Sequence, residues 1–144
     1  MSTEQNKALV RQLVEEVLNK GNMSWADEII APNFIEHEEL PPGFPPGREA
    51  SKLLFTMLRS AFPDFKATIQ QLISEGDKVV MYMTWTGTQK GEFMGVPPTG
   101  KSISINVIDI VRIADGQVVE HWGIMDQMAM MQQLGVIPAP SQAG

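Results

Sequence analysis

The stretch from Ser102 to Gly135, SISINVIDIVRIADGQVVEHWGIMDQMAMMQQLG, limits the possible folds more than any other part of the chain. Its pattern predicts a long strand, an Asp115-Gly116 hairpin turn, a second strand and a short closing helix. Val, Ile and Trp favour strands, and Asp-Gly favours the tight turn between them. Among the ionisable groups of this apolar ribbon, three stand out: Asp109, His121 and, at its end, Asp126. Asp109 lies among Val107, Ile108, Ile110 and Val111. A carboxylate buried there is costly, so it needs either a partner or a purpose.

Alternation puts Asp109 on the face shared by Ile105, Val107 and Val111. If that face lines a cavity, loss of water raises the pKa of Asp109 and suits it to general acid or base work. The other reading is a structural pair with Arg112 or His121. A two-residue turn places Asp109 opposite Trp122, with His121 on the diagonal and within reach of a direct pair or a water bridge. Asp126, just before QMAMMQQLG, reads first as a helix N-cap, with an acid/base role open to it if the helix start faces the cavity.

Upstream, the 3.6-residue period predicts three helices. The first spans Thr3 to Lys20, with Leu9, Val10, Leu13, Val14, Val17 and Leu18 on one stripe, Thr3 as its cap and Gly21 as its stop. The second runs from Ser24, its expected cap, to Ala31, and the third from Arg48 to Phe62, with Ala50, Leu53, Leu54, Met57, Leu58 and Ala61 inward. Between the last two lie a short strand, Phe34–His37, and the loop EELPPGFPPG, whose prolines and glycines exclude regular structure. Strands follow at 66–74 and 78–88. The second carries Val79, Met81, Met83 and Trp85 on one face and Val80, Tyr82, Thr84 and Thr86 on the other, so both faces are candidates for coverage. Helices first and antiparallel strands later imply an α+β domain: a cone-shaped, curved antiparallel sheet packed on N-terminal helices and enclosing a cavity. His37, Tyr82, Trp85 and Trp122 are then candidates for the cavity wall or mouth.

At 144 residues the chain suits one domain, residues 1–144, with 136–144 a loosely ordered tail. A net charge of -6 with only 11 scattered Lys and Arg disfavours nucleic acid as a partner. With no cysteine, a polar N-terminus and no apolar run long enough to span a bilayer, the expected setting is the cytoplasm, without a membrane. The two histidines lack metal-site spacing and no nucleotide-binding motif is present, so neither metal nor cofactor is expected.

The segments FIEH at 34–37, FPDF at 62–65, GTQKGEFMGVPPTGK at 87–101 and DGQVVEHWGIMDQMAMMQQLG at 115–135 resemble the SnoaL-like polyketide cyclase (ester cyclase) family, in matching order over nearly the whole chain. The resemblance implies the nuclear-transport-factor-2-like cone, which ketosteroid isomerases share, and a homodimer paired through the outer sheet face. It also implies intramolecular aldol closure of an aromatic polyketide ring without metal or cofactor, with an Asp/His pair moving protons. In the alignment, the family's His on the penultimate strand falls on Asp109, and its Asp two residues beyond the last-strand His falls on Gly123. His121 and Asp126 match widely shared positions.

The expected activity is cofactor-independent proton chemistry, aldol cyclisation or isomerisation, on a small apolar carbonyl compound. Asp109 would move the proton, His121 would orient it, Asp126 would assist and Tyr82 would supply a donor to the enolate. A non-catalytic protein that binds a small apolar molecule on the same cone is the alternative. Epoxide hydrolysis ranks last, because it needs an Arg beside the acids and Arg112 alternates to the opposite face from Asp109.

Overall fold

The computed structural model describes residues 2–138. Helix α1 (Thr3–Gln12) starts at Ser2, one residue before the expected cap. Ser2 and Gln5 exchange side-chain-to-backbone hydrogen bonds, a reciprocal cap that satisfies two donors the helix cannot pair internally. The same rod continues as a π-helical stretch, Leu13–Asn19, which the period of 3.6 could not signal. The wider turn still buries Leu13, Val14, Val17 and Leu18. Helix α2 (Met23–Ile29) is followed without a loop by strand β1 (Ile30–Glu36), so the second helix ends earlier and the strand starts earlier than the sequence suggests. Its cap is Asn22, not Ser24, whose hydroxyl is tied to the Asn22 side chain. Pro32 is tolerated because β1 is an edge strand. Helix α3 (Arg48–Ala61) follows the Pro/Gly loop and buries Ala50, Leu58 and Ala61, although Leu53 is exposed.

Four antiparallel strands complete the sheet: β2 (Lys66–Glu75), β3 (Lys78–Thr88), β4 (Ser102–Ala114) and β5 (Gln117–Met125). The spatial order is β1-β5-β4-β3-β2. The fold is therefore the α+β cone, a curved and unclosed sheet with helices on its concave side. One correction applies. The sheet is mixed, because β1 runs parallel to β5, a pairing that requires the chain to cross from one to the other through α3 and three strands. Asp115 and Gly116 both have positive φ, 52° and 73°, as the mirror-image hairpin turn demands. Asp126 then caps α4 (Gln127–Gln133). Among the described residues no helix is long and apolar enough to cross a membrane. Val136 and Ile137 are exposed, and 139–144 of the expected tail lie outside the described residues.

Alternation behaves as expected on β3 and β4. Val79, Met81 and Met83, with Ile103, Ile105, Val107 and Val111, point into the core. The loop between these strands folds around one polar side chain, Gln89, which is fully buried. Its Nε2 donates to the Val96 and Gly91 carbonyls, and its Oε1 accepts from the Thr99 backbone and hydroxyl. Truncating Gln89 strands several of these buried groups at once, and each buried orphan costs about 1–3 kcal/mol. Gln89→Ala should therefore lower the unfolding free energy by about 3 kcal/mol in urea titration. A change under about 0.5 kcal/mol would show that solvent satisfies the loop.

Candidate functional site

The concave face of the sheet, α3 and the π-helical stretch enclose a mostly apolar cavity lined by Leu54, Phe55, Met81, Met83 and Trp85 among others. One end is polar, and three strands build it. Asp109 of β4, 9% exposed, sits on the inward face with Val107 and Val111. Its partner on β5 is Gly123, not Trp122. Ala114 pairs with Gln117 as expected, but an extra residue, Val119, bulges β5 and slips everything beyond it by one. That slip turns His121 inward, two residues along from the Gly123 rung.

His121 lies between two carboxylates. Its Nε2 is 2.9 Å from Asp109 Oδ1, and its Nδ1 is 2.7 Å from Glu36 Oε1. Glu36 arrives from β1, where it pairs in register with His121. Burial pushes the imidazole pKa down, but hydrogen bonds to Asp109 and Glu36 and the charges of both outweigh it and hold the group up at about 10. The ring is thus an imidazolium at neutral pH and donates from both nitrogens.

A further acid, Glu38, follows two residues after Glu36 and also lines the cavity. Its backbone N–H donates to Glu36 Oε1 at 2.9 Å. Burial pushes its carboxyl pKa up to about 7; the His121 charge opposes the rise, while those of Asp109 and Glu36 add to it. Neither Glu36 nor Glu38 is among the site residues expected from the sequence. The usable signal was period two: Phe34, Glu36 and Glu38 share one face, and Phe34 is buried. Glu36, Glu38 and His121 bring potential ligand atoms within 4.8 Å of one another. Both imidazole nitrogens carry protons committed to carboxylates, so a metal ion would have to displace one of them to bind the ring.

The other expected site residues divide by strand face. Trp85 lines the cavity, and its Nε1–H is shut off from solvent with no acceptor among the described residues. Tyr82, three residues earlier on the same strand, necessarily points the other way, to an outer-face patch with Ile73, Val80 and Ile108. It cannot serve as a donor in the cavity. Trp122 is also on the outer face, since its neighbour His121 points in. His37 stacks on it at 4.8 Å and pairs with Glu120, which also holds Arg112. His37 is therefore not at the cavity mouth. Asp126 is exposed, its carboxylate caps Ala129 N–H at 3.0 Å, and it does not line the cavity.

Gly123 is what permits the central pair. A Cβ there would stand 2.5 Å from Asp109 Oδ1 and 2.8 Å from His121 Cε1. Gly123→Ala should therefore part the two side chains. The His121 titration, followed by NMR of the imidazole C–H, should fall by about 1–2 pH units, and an unchanged midpoint would refute this role of Gly123. The sign of the pH effect on stability follows from the raised pKa. The stabilisation is complete below the unfolded value of 6.5 and is lost as pH rises through about 10. The wild type should lose urea resistance between pH 7 and 10, and His121→Gln should lose clearly less over that window.

The SnoaL-like polyketide cyclase family model matches residues 8–134. Nogalonic acid methyl ester cyclase of Streptomyces nogalater is 29% identical over 127 residues, covering 88% of this chain and 94% of that protein. Aklanonic acid methyl ester cyclase DauD of Streptomyces sp. (strain C5) is 31% identical over 144 residues, covering 94% of this chain and 84% of its own. Among solved structures, TsrD from Streptomyces laurentii superposes with a TM-score of 0.87 at 28% identity, over 95% of this chain and 99% of that one. Wild-type IdmH from Streptomyces antibioticus gives 0.78 at 36% identity, over 91% and 99%. A family match across almost the whole length, on the fold expected of it, means that this chain belongs to the SnoaL-like polyketide cyclases.

Proposed function

We propose that this cyclase-type protein closes a ring by intramolecular aldol condensation of an apolar polycarbonyl substrate, with Asp109 as the base. The observation that supports this most is a nearly buried carboxylate in an apolar cavity, held by a cation that cannot itself accept a proton. Asp109 removes a proton from a carbon flanked by carbonyl groups. The pair of electrons left behind delocalises into the substrate as an enolate. His121 stays protonated throughout, orients Asp109 and offsets the negative charge that moves from carboxylate to enolate. Glu36 fixes the other side of the ring. The unpaired Trp85 N–H offers a donor to a substrate oxygen further along the wall. The free volume is about 100 Å³, below the ~300 Å³ of pockets that enclose drug-sized ligands, so a polycyclic substrate needs more room than this form of the cavity offers.

Nogalonic and aklanonic acid methyl esters, the compounds in the names of the two relatives, are the natural test substrates. β-Tetralone in deuterated water, an apolar bicyclic ketone, serves as a simpler enolisation probe. Wild type should cyclise at least one ester or speed deuterium uptake by the ketone. Asp109→Asn should lose about 10³-fold in that rate with its melting temperature kept within a few degrees. Inactivity of the wild type on all three, or an active Asp109→Asn, would refute the assignment and leave ligand binding as the function.

A homodimer through the outer sheet face belongs to the same proposal, in a cytoplasm consistent with the lack of cysteine. Ile73, Ile108 and Ile124 are 57%, 47% and 78% exposed on that convex face. A contiguous apolar patch of this kind favours burial against a second copy. Ile108→Glu combined with Ile124→Glu should shift the sedimentation coefficient from dimer to monomer.

A further inference from the structure

The geometry points to Glu38 as the general acid of the ring closure, the partner of Asp109 in a two-carboxylate cycle. This inference rests on the reading of Asp109 as the base.

Aldol closure needs two proton events at different atoms. One removes a proton from carbon. The other adds a proton to the oxygen of the attacked carbonyl as its π pair becomes an alkoxide. His121 cannot supply the second, because both of its protons are held by Asp109 and Glu36. Tyr82 and Asp126 are not in the cavity. Glu38 is: it is half-buried two residues beyond the end of β1, lines the cavity, and its carboxyl lies within 4.8 Å of His121 and Glu36 ligand atoms. Among the described residues no side-chain or backbone donor reaches its carboxylate, so no hydrogen bond favours the ionised form.

Charge counting says which carboxyl keeps its proton. The groups facing Glu38 are Glu36 at the end of β1, Asp109 from β4 and His121 from β5; the part of α3 that lines the cavity contributes Ser51, Leu54, Phe55 and Leu58, none charged. Beside it in the loop, Glu39 adds another acid to the lining. One imidazolium already serves two carboxylates. A further negative charge would have no partner in an apolar wall, so Glu38 holds its proton up to about pH 7. A carboxylate paired to a cation, beside a carboxyl that has no such partner, is the arrangement that assigns base and acid roles.

The cycle balances. Asp109 gains the carbon-bound proton, the enolate carbon forms one C–C bond to the acceptor carbonyl carbon, and Glu38 gives its proton to the new alkoxide. Asp109 is then protonated and Glu38 ionised, and transfer of one proton between them, directly or through water, restores the start. The same pair drives enolisation of a simple ketone, with Glu38 donating to the carbonyl oxygen while Asp109 takes the α-proton.

The test is the pH profile of kcat on whichever probe the wild type turns over, for wild type, Glu38→Gln, Glu38→Asp and Asp109→Asn. Wild type should lose activity as pH rises past about 7, where Glu38 gives up its proton. Glu38→Gln should fall about 10²-fold and lose that alkaline limb, and Glu38→Asp should recover part of both. Carbon-13 carboxyl NMR, with Glu38→Gln identifying the signal, should show Glu38 titrating near neutrality. If Asp109→Asn is dead while Glu38→Gln keeps full rate and the alkaline limb, Asp109 handles both protons alone and the role of Glu38 is overturned, with the base assignment intact. A Glu38 midpoint below 5 overturns it as well. Failure of the wild type on every probe, or an active Asp109→Asn, takes away the base and this inference with it.

Discussion

A histidine cation buried between two carboxylates is the constraint on which this cavity depends. Removing a charge from water costs several kcal/mol, and only matched, short contacts offset that cost. His121 obtains them from two different strands, Asp109 on one side and Glu36 on the other, at 2.9 and 2.7 Å. The pair therefore ties β1, β4 and β5 together at the polar end of the cone. It also fixes the ring so that neither nitrogen is free. A histidine held this way is not a base at physiological pH. It is a stationary positive charge, and its chemical value lies in the direction it imposes on Asp109 and in the negative charge it can offset.

Two backbone features make this contact possible. The bulge at Val119 shifts the β4–β5 register by one, and without it His121 would point to the outer face. Gly123 then leaves a gap that Asp109 and His121 fill. Any side chain at position 123 would take the space that Asp109 and His121 now fill, so the pair at the polar end depends on a glycine on that rung.

The hairpin, its turn and the inward run of β4 were legible because period two and Asp-Gly are local signals. So was the link between Asp109 and His121, though by a register that the bulge corrects. What stayed illegible was non-local. Glu36 matters because β1 pairs in parallel with β5, a contact between residues 85 apart in the chain. No local pattern announces that pairing. Tyr82 and Trp122 were placed in the cavity by residue type, against the alternation that puts each on the opposite face from Trp85 or His121. The π-helical turn was hidden because its apolar stripe still fits a helix of ordinary pitch well enough over seven residues.

The arrangement also separates the two functions that this fold could serve. A cavity that only sequesters an apolar molecule gains nothing from buried charge, because each ionised group adds desolvation cost without adding apolar contact. Replacing such groups with hydrocarbon of similar volume is often neutral or stabilising. Here Glu36, Glu38, Asp109 and His121 gather at one end of a wall that is otherwise Leu, Phe, Met and Trp. A substrate whose apolar rings lie along that wall would present its carbonyl groups to the charged end. The cost of keeping four ionisable groups there is understandable if protons must move among them, and it has no counterpart in binding alone.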